Sequence, residues 1–89
     1  MLSQNYPNPF NPSTRVEYNL PVSQHTTITV YNVLGRKVAT LVDDVRSAGT
    51  HQAVWDGRDQ SGQVAASGVY FYRITAGDFI QTRKMTLLK

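Results

Sequence analysis

The segment SGVYFYRITAG, Ser67 to Gly77, leaves the chain little choice but a β-strand. Aromatic and β-branched residues fill it, and glycines bound it. Such side chains lose rotamer freedom in a helix and fit a pleated surface well. DFIQTRKMTLLK follows after Ala76-Gly77-Asp78, a connection suited to an antiparallel hairpin. A lone hairpin is marginal in water, so the rest of the chain must supply strands to cover its apolar face.

The upstream segments answer that need. RVEYNL alternates: Val16, Tyr18 and Leu20 point one way, Arg15, Glu17 and Asn19 the other, and Pro21 closes it. HTTITVYN is rich in β-branched residues, with Ile28 and Val30 on one face. NVLG reads as a hairpin turn around Gly35. GRKVATLVDDV is ambiguous. Leu34, Val38, Leu41 and Val45 fall at spacings of four, three and four, a helical stripe. As a strand, Val38, Thr40 and Val42 share one face, and Ala39 and Leu41 the other. A strand is preferred, because the segment is short, bounded by Gly35 and Asp43-Asp44, and flanked by β segments. AGTHQAVWD is a further strand entered from Gly49, and GRDQSGQ a polar loop. With a short bridge at Gln63–Ala65, the count is seven strands. An all-β, antiparallel immunoglobulin-like sandwich of about seven strands is expected. Trp55, Tyr18, Ile28, Val30 and Phe71 are expected in or beside its core.

With 89 residues, the chain reads as one domain over residues 1–89. A domain of this size buries only ~60–65% of its unfolded surface, so its core has little to spare. There is no cysteine, hence no disulfide to support that core. The formal net charge is +3 without a long run of like charge, which argues against a nucleic-acid partner. No apolar run approaches the ~20 residues of a membrane-spanning helix. MLSQNYP has neither a basic nor an apolar signal region, so it is not read as a signal peptide, and Met1 can simply be the start of a fragment of a longer protein. Residues 1–14 form an extended lead-in, because NYPNPFNPST holds three prolines and three asparagines. Tyr6 and Phe10 are expected to plug the open end or the edge of the core, and the strap to cover a sheet edge.

Sites for chemistry are few. His25 and His51 begin strands without a serine or carboxylate at a telling spacing, and read as exposed polar residues. Asp56 and Asp59 in DGRDQSG are weak calcium candidates, since calcium takes about six to eight oxygens. Two Asx turns use the same residues with no ligand missing, and are preferred. The aromatics could form a sugar-stacking platform, but their strand spacing suits a core better. No nucleophile elbow and no phosphate-loop lysine occur. A non-enzymatic module without catalytic residues, resident metal or cofactor is expected. The last strand should lie near a sheet edge, where a partner could add to it, with Arg83, Lys84 and Lys89 orienting an acidic partner.

NYPNPFNPST, VYNVLGRKVATLV, AGTHQAVWDGRDQSGQVAASGVYFYRI and TRKMTLLK, in that order, resemble a known family. It is the type A C-terminal sorting domain of the type IX (Por) secretion system of Bacteroidetes and related bacteria. WDGRDQSGQ…SGVYFYRI also resembles the Ig-like domain of the flagellar hook-capping protein. The first resemblance implies a secretion signal on an N-terminal passenger, carried through the periplasm to the cell surface or the medium. It implies as partners the outer-membrane translocon and sortase-like components; the sandwich itself is expected to be a monomer. The residues that carry it over are Leu34, Gly35 and Arg36 in the turn, Gly68 and Tyr70 in the strand, and Arg83, Lys84 and Lys89 at the end. The alternatives are an Ig-like accessory module, acting as spacer or carbohydrate binder beside a secreted enzyme, and a structural cap in an appendage. A chain ending at Lys89 is expected of a sorting signal more than of a spacer.

Overall fold

In the computed structural model, which describes residues 1–88, all regular structure is strand. The strands are β1 (Thr14–Leu20), β2 (Gln24–Asn32), β3 (Lys37–Arg46), β4 (Gly49–Trp55), β5 (Gly68–Ala76) and β6 (Phe79–Leu87). They form two antiparallel sheets, β1-β4 and β3-β2-β5-β6. The architecture is an Ig-like β-sandwich with six strands among the described residues, one fewer than the sequence suggests. The expected strand at Gln63–Ala65 reduces to a single bridge, Arg58 to Val64. Side-chain bonds from Asp59 fold that segment into turns, which leaves too little extended chain for a ladder.

The alternating segments bury the side expected of them. Val16, Tyr18 and Leu20 of β1 are buried, as are Ile28 and Val30 of β2. Tyr70, Tyr72, Ile74 and Ala76 of β5 face them, with Trp55, Met85 and Leu87 completing the core. Phe71 is a correction: it lies on the outer face of the larger sheet, half-buried, while Tyr70 and Tyr72 point in. A run of aromatics does not fix its own phase. Pairing of β5 with β2 and the inward Ile74 and Ala76 do.

β3 is a strand, but its faces differ from strict alternation. Its register against β2 shifts twice, leaving Leu41 and Val38 as the extra residues. Ala39 and Val42 are consequently both buried, three positions apart. Each bulge inserts one residue and resets the period-2 pattern. The helix-like spacing of Val38 and Leu41 is therefore the spacing of the two bulges.

The lead-in strap is part of the fold. Its first half pairs with the free edge of β1: Ser3 N–H donates to Glu17 O at 2.9 Å, and Tyr6 and Arg15 exchange two bonds of 2.9 Å. Its second half pairs with the free edge of β6: Phe10 N–H donates to Thr86 O and Leu88 N–H to Phe10 O, each at 3.0 Å. The strap thus joins the two sheets along one side of the sandwich. Phe10 is a plug, fully buried against the Trp55 ring with 5.5 Å between centroids. Tyr6 is not: it is 66% exposed beneath the Arg15 guanidinium. The second plug is Leu2, fully buried. Between the plugs, Asn5 is buried and bonded through its backbone N–H and its side chain. Its N–H donates to Tyr72 Oη at 2.8 Å, and its side-chain amide to Pro7 O and Thr14 Oγ1. Tyr72 Oη in turn donates to Ser3 O at 2.8 Å. At Gly57, φ is +78° and an added Cβ would sit 2.7 Å from Pro12 O, so the strap's end needs a glycine beneath it.

Candidate recognition surface

Strands β2, β3, β5 and β6 bring several of the expected recognition residues to one end of the sandwich. Asn32 at the end of β2 pairs with Tyr70, which pairs with Met85, while Gly68 pairs with Leu87. The Leu34-Gly35-Arg36 turn, Gly68, Tyr70 and the end of β6 therefore share that end.

The turn is built by Asn32. Its Oδ1 accepts the N–H groups of Leu34 and Arg36, both at 3.0 Å. Its carbonyl accepts Gly35 N–H at 3.0 Å, and Gly35 takes φ +80°, which favours glycine. With the backbone so held, Val33 and Leu34 are 66% and 74% exposed. Two large apolar side chains at a rigid tip form a knob that the fold does not use. Beside it, Arg36, Lys37, Asp59 and Tyr70 help line a shallow cleft of about 330 Å³.

Not every expected residue is free to meet a partner. Tyr70 is buried edge-on to Trp55, and its hydroxyl donates to Ala66 O at 2.6 Å. Arg83 Nε donates to Leu2 O at 2.8 Å, so this guanidinium clamps the strap. Lys84 is exposed on the outer face. Lys89 lies outside the described residues. β6 is an edge strand of its sheet, but the strap already bonds its outward backbone. Besides the two Phe10 bonds, Thr86 N–H donates to Asn8 Oδ1 at 3.1 Å, and Lys84 O accepts from Gln4 Nε2 at 2.8 Å. Direct strand addition there, as expected from sequence, meets an occupied edge.

Asp56 and Asp59 each organise a turn. Asp56 Oδ1 accepts Arg58 N–H at 3.0 Å. Asp59 Oδ1 accepts Ser61 Oγ–H at 2.7 Å, and the N–H groups of Ser61 and Gln63, both at 3.0 Å. The Ser61 hydroxyl, then the Gln63 amide, hold the Asp59 carboxyl below its ordinary pKa. A carboxyl lowered by folding contributes stability above its unfolded pKa, which fades as pH falls through the native value. Acidification below about pH 4 should therefore loosen the loop. Faster hydrogen exchange at the Ser61 and Gln63 amides, relative to the sheet, is the expected signal. An Asp59→Asn variant should lack that pH dependence; if it keeps it, another group is responsible.

Three features were hidden in the sequence. Leu2 carried no signal beyond being apolar. Asn5 looked like any other asparagine of the strap. Phe71 looked like core until its phase was set.

The sequence profile of the FlgD Ig-like domain matches residues 11–78. No curated protein sequence matches the chain. Among solved structures, FlgD from P. aeruginosa is similar at 27% identity and TM-score 0.66, over 83% of this chain and 58% of that one. The chain thus spans 58% of the FlgD chain it resembles. PorZ, a bacterial surface component of the type IX secretion system of Porphyromonas gingivalis, is similar at 16% identity and TM-score 0.68, over 97% of this chain and 11% of that one. Dimeric latent PorU from Porphyromonas gingivalis is similar at 18% identity and TM-score 0.76, over 96% of this chain and 9% of that one. At those identities the two Por proteins share the fold. The profile match covers β1 to β5 with the turns between them, and so the chain belongs to the FlgD Ig-like domain family.

Proposed function

We propose that this domain is a type A C-terminal sorting domain, which directs an attached N-terminal passenger across the outer membrane through the type IX secretion system. Its partners are then the translocon and sortase-like components, and its route leads through the periplasm to the surface or the medium. One observation carries this reading. As structures, PorZ and PorU match 97% and 96% of the chain and FlgD 83%, and the FlgD profile stops at residue 78. Outside the profile lie the first ten residues of the strap and β6, two segments that the fold binds together. Because the strap occupies the β6 edge, recognition falls to exposed side chains: Leu34 and Arg36 on the turn, and Lys84 on β6.

The test is a reporter fused ahead of the domain in a bacterium with a type IX system. Export of the intact fusion is expected. Lys84→Glu and Leu34→Asp should hold part of the reporter in the periplasm, with an unchanged melting temperature. Deleting the last six residues is a poorer test, because it removes Met85 and Leu87 from the core. Failure of the intact fusion in several hosts would end the sorting reading. One observation favours an accessory carbohydrate-binding module instead: Tyr31 and Phe71 lie side by side on an outer sheet face.

A further inference from the structure

The outer face of the four-stranded sheet carries a row of residues that the fold does not require. Directly paired residues of antiparallel strands share a face, so Lys37, Tyr31, Phe71 and Lys84 form one line across β3, β2, β5 and β6. Four strands at ~4.8 Å spacing make that line ~14 Å long. The next line on the same face contains Thr29, Arg73 and Thr82. The Arg73 guanidinium lies over the Tyr31 ring, 5.2 Å from its centroid, and its Nε donates to Thr82 Oγ1 at 3.2 Å. Tyr31, Phe71, Arg73 and Thr82, with the Val33–Gly35 turn as a wall, line a shallow cleft of about 320 Å³. That volume is at the small end of ligand clefts, ~300–1,000 Å³.

The charge on these two lines is of one sign. Lys37, Lys84 and Arg73 are exposed cations, and no carboxylate pairs into either line. On β3 the nearest acid of this face, Asp43, pairs with Thr27 one line further down and bonds His25 at 2.8 Å. The backbone of the central strands is spent in the ladder, so an extended peptide finds no N–H or C=O to pair with here. Side chains alone do the recognising. The Phe71 ring offers an apolar surface for the C–H face of a sugar ring, while Tyr31 carries the Arg73 guanidinium. An arginine so fixed presents donors that match a carboxylate or sulfate. The lysines at either end of the line suit further negative charge along a short chain.

We propose that this face binds an acidic oligosaccharide, a few rings long, bearing carboxylate or sulfate groups. Phe71 seats a ring, Tyr31 holds the Arg73 guanidinium in place to take an acidic group at the centre, and Lys37 and Lys84 hold the ends. Such a site is compatible with either a sorting domain or an accessory module, and its test is independent of export.

The test is isothermal titration of the full chain with oligogalacturonate and with a heparin-derived oligosaccharide, using maltohexaose and polyglutamate as controls. Saturable binding of at least one acidic saccharide is expected, weakening as salt is raised, with at least tenfold weaker binding of both controls. Arg73→Gln and Phe71→Ala should each weaken it at least tenfold, and Lys84→Gln by a smaller factor. Arg73 and Lys84 are exposed, so these two variants should keep the parent's circular dichroism and melting temperature. No binding of either acidic saccharide at millimolar concentration overturns the proposal. Equal binding of polyglutamate overturns it in favour of an acidic protein partner, and equal binding of maltohexaose removes the role of charge. Unchanged affinity in Arg73→Gln places the ligand elsewhere and overturns it as well.

Discussion

A chain beginning at Ser13 should unfold at a much lower urea concentration than the full chain. Removing the strap takes Leu2 and Phe10 out of the core, where both are fully buried. Burial of each contributes ~1.5–3 kcal/mol, so ~3–6 kcal/mol is at stake. A small domain has only about 5–10 kcal/mol in all. With a urea slope of about 1–1.5 kcal/mol/M, the midpoint should fall by roughly 2 M or more. A second effect should accompany the first. Thr86 and Lys84 lose the strap groups bonded to their outward backbone, and the freed edge of β6 can pair with another molecule. Self-association of the shortened chain, seen by analytical ultracentrifugation, is therefore expected. Equal midpoints with a monomeric shortened chain would mean that the strap's bonds contribute nothing in solution.

The strap also links the two ends of the chain. Arg83 Nε bonds Leu2 O, and Tyr72 Oη bridges Asn5 N–H and Ser3 O. If a passenger precedes Met1, its junction lies beside Asn19 of β1, which exchanges two bonds with Met1, one residue before the Leu2 carbonyl that Arg83 of β6 holds.

Trp55→Ala should be the most damaging single substitution. The indole is almost wholly buried between Phe10, at 5.5 Å, and Tyr70, at 5.2 Å. Its Nε1–H donates to Arg58 O at 2.9 Å, tying the start of the 56–67 loop to the core. Truncating a buried aromatic costs ~3–5 kcal/mol through lost transfer energy and the cavity left behind. For a domain this small, each kcal/mol moves the melting temperature by about 4–8 °C. A drop of at least ~12 °C in differential scanning calorimetry is expected. Trp55→Phe should cost less, since it keeps the ring contacts and loses the bond to Arg58. A shift of a degree or two for the alanine variant would show that Trp55 is not central to the core.

Much was settled by local pattern. Clean alternation in RVEYNL specifies both a strand and its buried face, because period 2 matches the pleat. Asn32 to Arg36 specify a turn, since a glycine can take the positive φ that the hairpin needs there. Asp56 and Asp59 specify their own turns through bonds that span no more than four residues. Even the strand at Gly68–Ala76 follows from side-chain shape alone. These are short-range preferences, so they survive being read one segment at a time.

Tertiary structure decided the rest, wherever the deciding partner is distant in sequence. The phase of VYFYRIT is one case: its aromatic run does not say that Tyr70 and Tyr72 turn inward while Phe71 turns outward, and pairing with β2 fixes it, with Arg73 outward and Ile74 inward in the same phase. The two bulges of β3 are another, because a residue is extra only relative to the strand opposite. Leu2 becomes a core residue, Arg83 a clamp and Asn5 a buried hub only when the first residues of the chain meet β6 and the inner end of Tyr72. The line from Lys37 to Lys84 likewise exists only in the folded sheet, since strand register alone places residues 37, 31, 71 and 84 side by side. Local sequence determines which segments are strands and where they turn; long-range pairing determines which side of each strand is left for a partner.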